Sequence, residues 1–489
     1  MSPKSNCENQ KLEADLVVIG GGGGGLAAAL TAAEKGIKNI IVLEKRAALG
    51  GNSALASGPF ACESPAQARQ NIIADKDELF KRTMNWAHWS RVNPRIIRAF
   101  LNKSGDTIRW LENMGLVFNV IAFFPNQTPR VQHRIEGRGV HMIKVLAEKC
   151  RELGVQILVK TAAKELLLAK DGSIAGVLAA GEDELEISAK NVIIATGGFA
   201  GNKTLLKKYC PLYYEGFSLR GLPLSGDGLI MAQKAGAAIE DFVTLLKEGP
   251  RVDPHLWPLM LLELQGMLIW VNSRGERFTD ETIGVHAFEA VNPILMQPGK
   301  VMYALIDTSI KSEVMELLPD EFMKYPPNTS IKDQAREKLM ALDKALLAEA
   351  ARDRVKVADS WKDIAEWIGA DPATLTATID EYNQCCDHGY DAVFAKDRRC
   401  LLPLRQAPYY AIKCEAHILD TIGGIRVNEH MEVLDDQDKP IGGLYAVGVT
   451  VSGWESETYC SDLNGSALGF ALNSGRIASE NAAASMLKD

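Results

Sequence analysis

Asp15-Leu-Val-Val-Ile-Gly20-Gly-Gly-Gly-Gly-Gly25-Leu26 is the stretch that decides the fold of this chain. Its apolar first half has the composition of a buried parallel strand. Six consecutive glycines follow, and then the alanine-rich segment Leu26 to Lys35, which predicts a helix packed tightly on a sheet. A second apolar run, Asn39 to Glu44, predicts a second buried strand. Together these segments predict a βαβ unit whose strand-to-helix turn is made of glycine.

The spacing Gly20-x-Gly22-x-x-Gly25 is the one that a dinucleotide phosphate requires. The first glycine permits a tight turn, the second lets backbone approach a pyrophosphate, and the third lets helix and strand pack closely. A helix N-terminus then offers N–H groups and the positive end of a dipole to the phosphates. Glu44 ends the second strand, where a carboxylate accepts hydrogen bonds from ribose hydroxyls. A glycine turn without a ligand is the alternative, but six glycines carry a large entropic cost, which favours nucleotide binding.

Size, charge and cysteine usage exclude several classes of protein. A chain of 489 residues is too long for one ordinary core and predicts two domains, or one domain with a large insertion. The net charge of −8 disfavours nucleic acid as a partner. Nine scattered cysteines without a CxxC motif give no support for a zinc, iron–sulfur or other metal site, and they are typical of reduced thiols in a cytoplasmic protein. The polar N-terminal segment is not a secretion signal, and no apolar run reaches membrane-spanning length.

The order of secondary-structure patterns along the chain predicts a first domain that is interrupted by an insertion. Residues 70–116 predict amphipathic helices with Trp86, Trp89 and Trp110 in the core, and 155–188 predict a β-meander turning at Asp171-Gly172. The composition changes between about 240 and 400, where many prolines and helical patterns such as 331–351 and 361–369 occur. After this region the strand and helix patterns of the first domain continue, with a strand predicted at 444–448 and a long helix from Ser466 to Met486. We therefore predict an α/β fold in which residues 1–239 and 406–489 form a Rossmann-like domain, a parallel sheet plus β-meander, and residues 240–405 an inserted α+β capping domain.

Further motifs identify a family. They are Gly50-Gly-Asn-Ser53, Ala195-Thr-Gly-Gly198, Ser225-Gly-Asp-Gly228, Val271-Asn-Ser-Arg-Gly-Glu-Arg-Phe278 and Gly465-Ser-Ala-Leu468. With these motifs, nearly the whole chain resembles the flavoprotein family of fumarate reductase, succinate dehydrogenase, L-aspartate oxidase and the 3-ketosteroid dehydrogenases. The resemblance implies that the Rossmann-like domain binds FAD.

The resemblance also implies which residues contact FAD. The glycine turn and Glu44 hold the pyrophosphate and the adenosine ribose, Ala163 lies by the adenine, and the start of the last helix presents backbone to the flavin. The implied cofactor residues are Gly20, Gly22, Gly23, Gly24, Gly25, Glu44, Lys45, Gly51, Asn52, Ser53, Ser57, Gly58, Ala163, Ala195, Thr196, Gly197, Asp227, Gly448, Ser466, Ala467 and Leu468. The succinate dehydrogenase type bonds FAD covalently through a histidine after its double glycine. Since Asn52-Ser53-Ala54 stands there in this chain, we expect noncovalent FAD.

The resemblance implies hydride transfer between flavin N5 and a C=C or C–C bond of a small-molecule substrate. Fumarate reductases clamp the substrate carboxylates with two arginines and two histidines. In this chain those positions fall on about Val285, with His286 beside it, near Glu248, on Leu419-Asp420 and on Asp462. A dicarboxylate needs cations to offset its desolvation. We therefore expect a less charged substrate, such as an enone, a ketosteroid-like compound or an aromatic unsaturated compound.

Three residues are candidates for the acid or base. In ketosteroid dehydrogenases the loop that matches Ser452 to Asp462 supplies a catalytic tyrosine, which makes Tyr459 a candidate, while Asp462 occupies the aligned catalytic slot. His286 is the third, because the pKa of a histidine lies near neutrality. Core packing of Tyr459 and a surface position for His286 are the competing interpretations.

Two other functions are compatible with the sequence. The chain carries no haem or iron–sulfur motif, so its electrons must come from, or go to, an external donor or acceptor. The alternative to an enzyme that turns over its own substrate is therefore a flavoprotein electron-transfer subunit that works with a separate redox protein. A flavin-binding protein that has lost its chemistry is the third hypothesis.

Overall fold

The glycine-rich segment forms the βαβ unit that the sequence predicts. The computed structural model describes residues 10–124, 127–251, 256–317, 337 and 340–486. Strand β1 (Gln10–Ile19) and strand β2 (Ile40–Leu43) pair in parallel, and helix α1 (Gly23–Glu34) connects them. The helix begins at Gly23 rather than Leu26, because the last three glycines of the run enter its first turn.

The described residues form further helices and strands, numbered here in chain order. The helices are α2 (Pro65–Arg69), α3 (Lys76–Trp86), α4 (Pro94–Asn113), α5 (Arg138–Glu152), α6 (Lys203–Tyr209), α7 (Asp227–Lys234), α8 (Trp257–Leu264), α9 (Val291–Leu295), α10 (Thr308–Leu317), α11 (Leu342–Ala350), α12 (Trp361–Ile368), α13 (Pro372–His388) and α14 (Ser466–Met486). The strands are β3 (Phe118–Ile121), β4 (Gln132–Ile135), β5 (Gln156–Leu158), β6 (Ala162–Leu168), β7 (Ile174–Ala180), β8 (Glu184–Ile194), β9 (Ser218–Leu219), β10 (Thr244–Arg251), β11 (Ile269–Val271), β12 (Met302–Asp307), β13 (Val355–Ala358), β14 (Tyr409–Ile422), β15 (Glu432–Leu434) and β16 (Pro440–Ala446).

The first sheet has the strand order β15-β16-β8-β1-β2-β5. Strands β16, β8, β1, β2 and β5 are parallel, and β6, β7 and β8 form the predicted antiparallel meander, with Asp171-Gly172 between β6 and β7. The meander strand and the buried strand predicted at 189–195 are one continuous strand, β8. Because parallel strands end at the same edge, the loops after β1, β2, β8 and β16 meet there, as ligand-binding loops do in such sheets.

Two backbone contacts hold α1 in place. A Cβ atom at Gly25 would lie 1.9 Å from the carbonyl oxygen of Gly20, and one at Gly475 would lie 2.3 Å from that of Gly24. The first contact fastens α1 to the end of β1, and the second lets α14 pack against α1. Both helices therefore begin near the edge where the parallel strands end.

A second sheet carries the capping segment. Its order is β10-β14-β12-β11, with β9 and β13 also paired to β14. Its core includes Trp270, Leu305 and Ile412, all buried. Strands β9 and β14 belong to this sheet but lie outside residues 240–405, so the sheet extends beyond both ends of the predicted insert.

The prediction of three core tryptophans was wrong for Trp89, whereas Trp86 and Trp110 pack against the edge of the core. Trp89 is 60% exposed, and Trp86 and Trp110 are only partly buried. The indole nitrogens explain the position of the last two, since Trp86 donates to the carbonyl of Thr458 and Trp110 to the carboxylate of Glu34. An indole N–H that needs a partner keeps the ring at the rim of a core.

The described parts of the chain confirm two of the other predicted helices. The segment 361–369 is α12, which ends at Gly369 in the left-handed conformation. Within 331–351 the structure shows α11, whereas 331–336 lie outside the described residues. No helix in the described ranges is long and apolar enough to span a membrane.

A buried ionic cluster holds the capping segment together. Arg277 donates from Nε and Nη2 to Glu281 at 2.8 Å and from Nη2 to Asp391 at 2.9 Å. The Lys396 ammonium lies 3.2 Å from the same glutamate, and the side chains of Glu281 and Lys396 are fully buried. Although burial opposes ionisation, Lys396 and Arg277 hold the pKa of Glu281 below its ordinary value.

We predict that Glu281→Gln lowers the free energy of unfolding by about 3–5 kcal/mol, because it leaves two buried cations without their shared carboxylate. Equilibrium urea denaturation checks this. The matched control is Glu366→Gln, which removes an exposed pair with Lys362 at 3.9 Å and should change stability by less than about 1 kcal/mol. Equal stabilities of the two variants would contradict the prediction.

Candidate active site

A cavity of about 320 Å³ lies where β1, β2, β8 and β16 end. This volume falls within the range of sites for small molecules and cofactors. Seventeen of the predicted cofactor residues line it, namely Gly20, Gly22, Gly23, Gly24, Glu44, Lys45, Gly51, Asn52, Ser53, Ala163, Ala195, Thr196, Gly197, Asp227, Gly448, Ala467 and Leu468. The fold thus brings together residues that are more than 400 positions apart in the chain.

Four predicted residues lie outside the cavity wall. Gly25 packs on the carbonyl of Gly20, and Gly58 packs on that of His133, which a Cβ atom would approach to 1.9 Å. The hydroxyl of Ser57 accepts a hydrogen bond from Gln132 at 2.8 Å, and Ser466 is buried. Gly25, Gly58 and Ser57 therefore support the cavity wall through packing or a hydrogen bond. The contacts with FAD that were predicted for these three residues and for Ser466 stay predictions.

Several lining residues were not predicted. They belong to loops and strands that are distant in sequence but adjacent in space: Arg46, Gly50, Thr161, Arg220, Gly221, Leu246, Leu419 and Asp420. Asn52 connects its own segment to two others, because its Nδ2 donates to Asp420 Oδ2 at 2.8 Å and its Oδ1 accepts from the Leu222 N–H at 2.8 Å. Burial raises the pKa of Asp420 to about 6. The only indication of this contact in the sequence is that Asp420 stands at a position where fumarate reductases have a histidine.

Glu44 fixes the geometry of the glycine turn. Its carboxylate accepts from the N–H of Gly21 at 3.0 Å and from the N–H of Arg46 at 2.8 Å. The side chain is buried yet lines the cavity. One carboxylate therefore orients the backbone of the turn after β1 and the backbone of the loop after β2.

An ion pair also lines the cavity. Lys45 Nζ donates to Asp227 Oδ2 at 2.7 Å and also to Ser225 Oγ. Burial opposes ionisation of Asp227, but the hydrogen bond from Lys45 keeps its pKa below the ordinary value. The pair connects the end of β2 to the first turn of α7, where a negative charge is favourable.

The cavity wall fits FAD. Gly22 is the N-cap residue of helix α1, and because it has no side chain the first turn of the helix lacks a side-chain cap. A Cβ atom at Gly22 would meet only the Gly50 carbonyl, at 3.7 Å. Among the described residues, the buried hydroxyl of Thr196 on the same wall has no hydrogen-bond partner. Uncapped backbone donors and a free hydroxyl are what a pyrophosphate-bearing ligand needs.

His286 and Asp462 come together beside an aromatic group. The ring of His286 lies 4.3 Å from that of Phe124, and Phe123 stacks on Phe288 at 5.8 Å. Burial lowers the pKa of His286, and the nearby charge of Asp462 opposes that shift. The Asp462 segment leads directly into α14, whose first turn lines the cavity. Neither candidate lines the cavity itself, and their predicted catalytic roles stay predictions.

Tyr459 occupies a different position. Its hydroxyl accepts from the Ala467 N–H at 3.0 Å, and its ring packs edge-on against Phe288 at 4.6 Å. Burial raises the pKa of Tyr459 far above its ordinary value, which makes the phenol a poor acid near neutrality. The catalytic role predicted for Tyr459 stays a prediction, and the contact that the structure shows is support for the start of α14.

The fold and the cavity define a dinucleotide-binding flavoprotein, and comparison with known proteins identifies its family. The family described as FAD binding domain matches residues 15–460, and the chain belongs to this family. It is 30% identical over 488 residues to the vinyl phenol reductase of Lactiplantibacillus plantarum, covering 96% of each chain. It is 28% identical over 480 residues to a cytochrome-type fumarate reductase of Shewanella frigidimarina, covering 96% of this chain and 77% of the relative.

The fold is also that of solved structures. The 3-ketosteroid Δ1-dehydrogenase of Sterolibacterium denitrificans superposes with a TM-score of 0.76 at 19% identity, covering 97% of this chain and all of the other. The predicted α/β Rossmann-like fold, the family and the FAD cofactor are thereby confirmed. The protein is an FAD-dependent oxidoreductase of the class that acts on CH–CH bonds.

We predict that Glu44→Gln weakens FAD binding about 10- to 100-fold, because a charged acceptor for two backbone donors is worth about 1.5–3 kcal/mol. Titration of the apoprotein with FAD, followed by flavin fluorescence, measures the Kd. Glu186→Gln on β8 is the control, since that glutamate makes a surface pair with Lys11 at 3.7 Å. An unchanged Kd for Glu44→Gln would show that the carboxylate does not organise the turn.

Proposed function

We propose that this enzyme reduces the C=C bond of a small, uncharged, conjugated aromatic compound of the vinyl phenol type. The observation that carries the proposal is the aromatic group around His286 and Asp462, formed by Phe123, Phe124 and Phe288. Similarity over almost the full length to a vinyl phenol reductase supports the same substrate class. Flat apolar rings favour a flat apolar substrate through stacking and edge contacts.

Charge argues against a dicarboxylate. Asp462 lies close to Glu289, whose pKa is raised chiefly by burial and further by the charge of Asp462. Two like charges 4 Å apart repel by about 4 kcal/mol at the effective dielectric of a partly buried site. A substrate carboxylate placed against Asp462 would meet this repulsion, whereas an uncharged phenol would not.

The chemistry divides between cofactor and protein. When bound, FAD supplies the hydride through its N5 atom. The glycine turn, Glu44 and Asn52 are placed to hold and orient FAD, and the aromatic group excludes water from the substrate. The proton for the second carbon comes from the pair His286 and Asp462. In a vinyl phenol, electron release from the phenolic oxygen makes the terminal vinyl carbon the basic one, so that carbon takes the proton and the benzylic carbon takes the hydride.

The electrons must come from outside the chain. We propose a small soluble donor or a separate redox protein, because no redox motif other than the FAD site occurs in the sequence. A reduced dye can replace the natural donor in an assay. The test of the proposal is anaerobic turnover of 4-vinylphenol and of fumarate at equal concentration, with reduced methyl viologen as the donor.

We predict that 4-vinylphenol is reduced and that fumarate is reduced at least about 100-fold more slowly, since one unfavourable contact of about 4 kcal/mol between a substrate carboxylate and Asp462 exceeds the ~2.7 kcal/mol which that ratio requires. In D2O one deuterium should enter the methyl group of the 4-ethylphenol product. Faster reduction of fumarate than of 4-vinylphenol would refute the proposed substrate class.

We predict that His286→Gln lowers kcat about 10²-fold or more, the usual contribution of a positioned acid. Because burial lowers the pKa of His286, the wild-type rate should fall as pH rises through a value below 6.5, and this step should vanish in the variant. His430→Gln, at an exposed turn, is the control. If His286→Gln keeps the wild-type rate and pH profile, the histidine is not the acid, and Asp462→Asn becomes the decisive variant.

A further inference from the structure

Two acids behind the active site, the buried Glu289 and the half-buried Glu455, take no part in the proposed reduction of the substrate. Glu289 on the capping segment accepts from the N–H of Ser461 at 3.2 Å and from its hydroxyl. Glu455 accepts from the N–H of Ser456 at 3.0 Å and from the N–H of Cys460 at 3.2 Å. The peptides of Cys460 and Ser461 adjoin, so neighbouring N–H groups hold one carboxylate each.

One end of this group reaches a second cavity. A cavity of about 30 Å³ is lined by Glu455 and Thr244 on the inside and by the exposed residues Arg91 and Glu240 at its rim. That volume is enough for about two waters, since one needs roughly 10–15 Å³. Polar atoms surround the space, so water can reach Glu455 from the protein surface.

The other end of the group reaches the proposed acid. Glu289 binds the N–H and the hydroxyl of Ser461, and Asp462 is the next residue in the chain. The charge of Asp462 acts on both Glu289 and His286, and the charge of Glu289 acts on Glu455. The groups between the small cavity and the active site are therefore Glu455, Glu289, Asp462 and His286, on the two segments 286–289 and 455–462, which meet at Ser461.

We propose that Glu455 and Glu289 form a proton relay that carries protons from the small cavity to Asp462 and His286. The inference rests on the proposed function, because every reduced C=C bond consumes one hydride and one proton. The π bond breaks, a C–H bond forms at each carbon, and the acid that gave its proton becomes a base. It regains a proton from Glu289, Glu289 from Glu455, and Glu455 from water in the cavity, while the external donor supplies both electrons.

The surroundings of Glu455 suit this task. Burial raises its pKa to about 7, with Glu289 adding to the shift, and the backbone N–H groups of Ser456 and Cys460 oppose it. Lys247, which is fully buried and donates to Thr458 Oγ1 at 3.2 Å, also favours ionisation. The other titratable or charged groups around the carboxyl are Tyr459, Cys460 and the exposed Glu457, with Arg91 and Glu240 across the cavity. A carboxyl with a pKa near the working pH can both accept and release a proton.

The test uses the FAD-loaded enzyme, reduced anaerobically with dithionite and mixed with 4-vinylphenol. Glu455→Gln should slow reoxidation of the flavin about tenfold or more and enlarge the solvent isotope effect. In the wild type the rate should fall as pH rises through about 7, because Glu455 loses its proton, and this step should be absent in the variant. Reduction by dithionite and the Kd for 4-vinylphenol should not change, and Glu455→Asp should recover part of the rate.

Glu457→Gln is the matched control, because this exposed residue lies two positions away in the same loop and pairs with Arg91 at 3.6 Å on the surface. If Glu455→Gln shows the wild-type rate, isotope effect and pH profile, the relay is refuted while the function stands. If even the wild type is not reoxidised by 4-vinylphenol, the proposed function fails. Infrared spectroscopy then still decides the relay: a deuterium-sensitive carboxylic-acid band that titrates near pH 7 and disappears in Glu455→Gln supports it, and no such band overturns it.

Discussion

The close approach of Gly25 to the carbonyl oxygen of Gly20 is the constraint on which the rest of the structure depends. A Cβ atom at residue 25 would lie 1.9 Å from that oxygen, so every other amino acid would force α1 away from the end of β1. With α1 in this position, Gly24 and Gly475 let α14 pack against it. The first turns of α1 and α14 then line one cavity. The Glu44 carboxylate fixes the turn between β1 and α1, because it accepts a hydrogen bond from the Gly21 N–H.

Strand β14 couples this cavity to the capping segment. It begins at Tyr409 in the second sheet and carries Asp420 to the cavity wall, where Asn52 binds it. Its partner β10 places Leu246 in the cavity wall and the buried Lys247 near Glu455, at an irregularity in the pairing of the two strands. The cofactor site and the proposed proton relay therefore share this strand pair.

Local patterns in the sequence predicted much of this arrangement. The glycine turn, the meander turn at Asp171-Gly172 and the helix from Ser466 to Met486 each depend on a short stretch of chain, and the structure has all three. Contacts between distant segments left no such signal. Asn52 and Asp420 are 368 residues apart, and only the pairing of β14 with β10 and β9 brings them together. The family motif pointed to Tyr459, yet it could not show that the hydroxyl is occupied by the Ala467 N–H.

The most direct test of this account is the state of the flavin in the purified protein. If the cavity holds FAD through backbone donors, Glu44 and Asn52, without a covalent bond, acid precipitation should release one FAD per chain into the supernatant. Flavin that stays with the precipitated protein would contradict the noncovalent site, and apoprotein that fails to bind added FAD would contradict the assignment of the cavity itself.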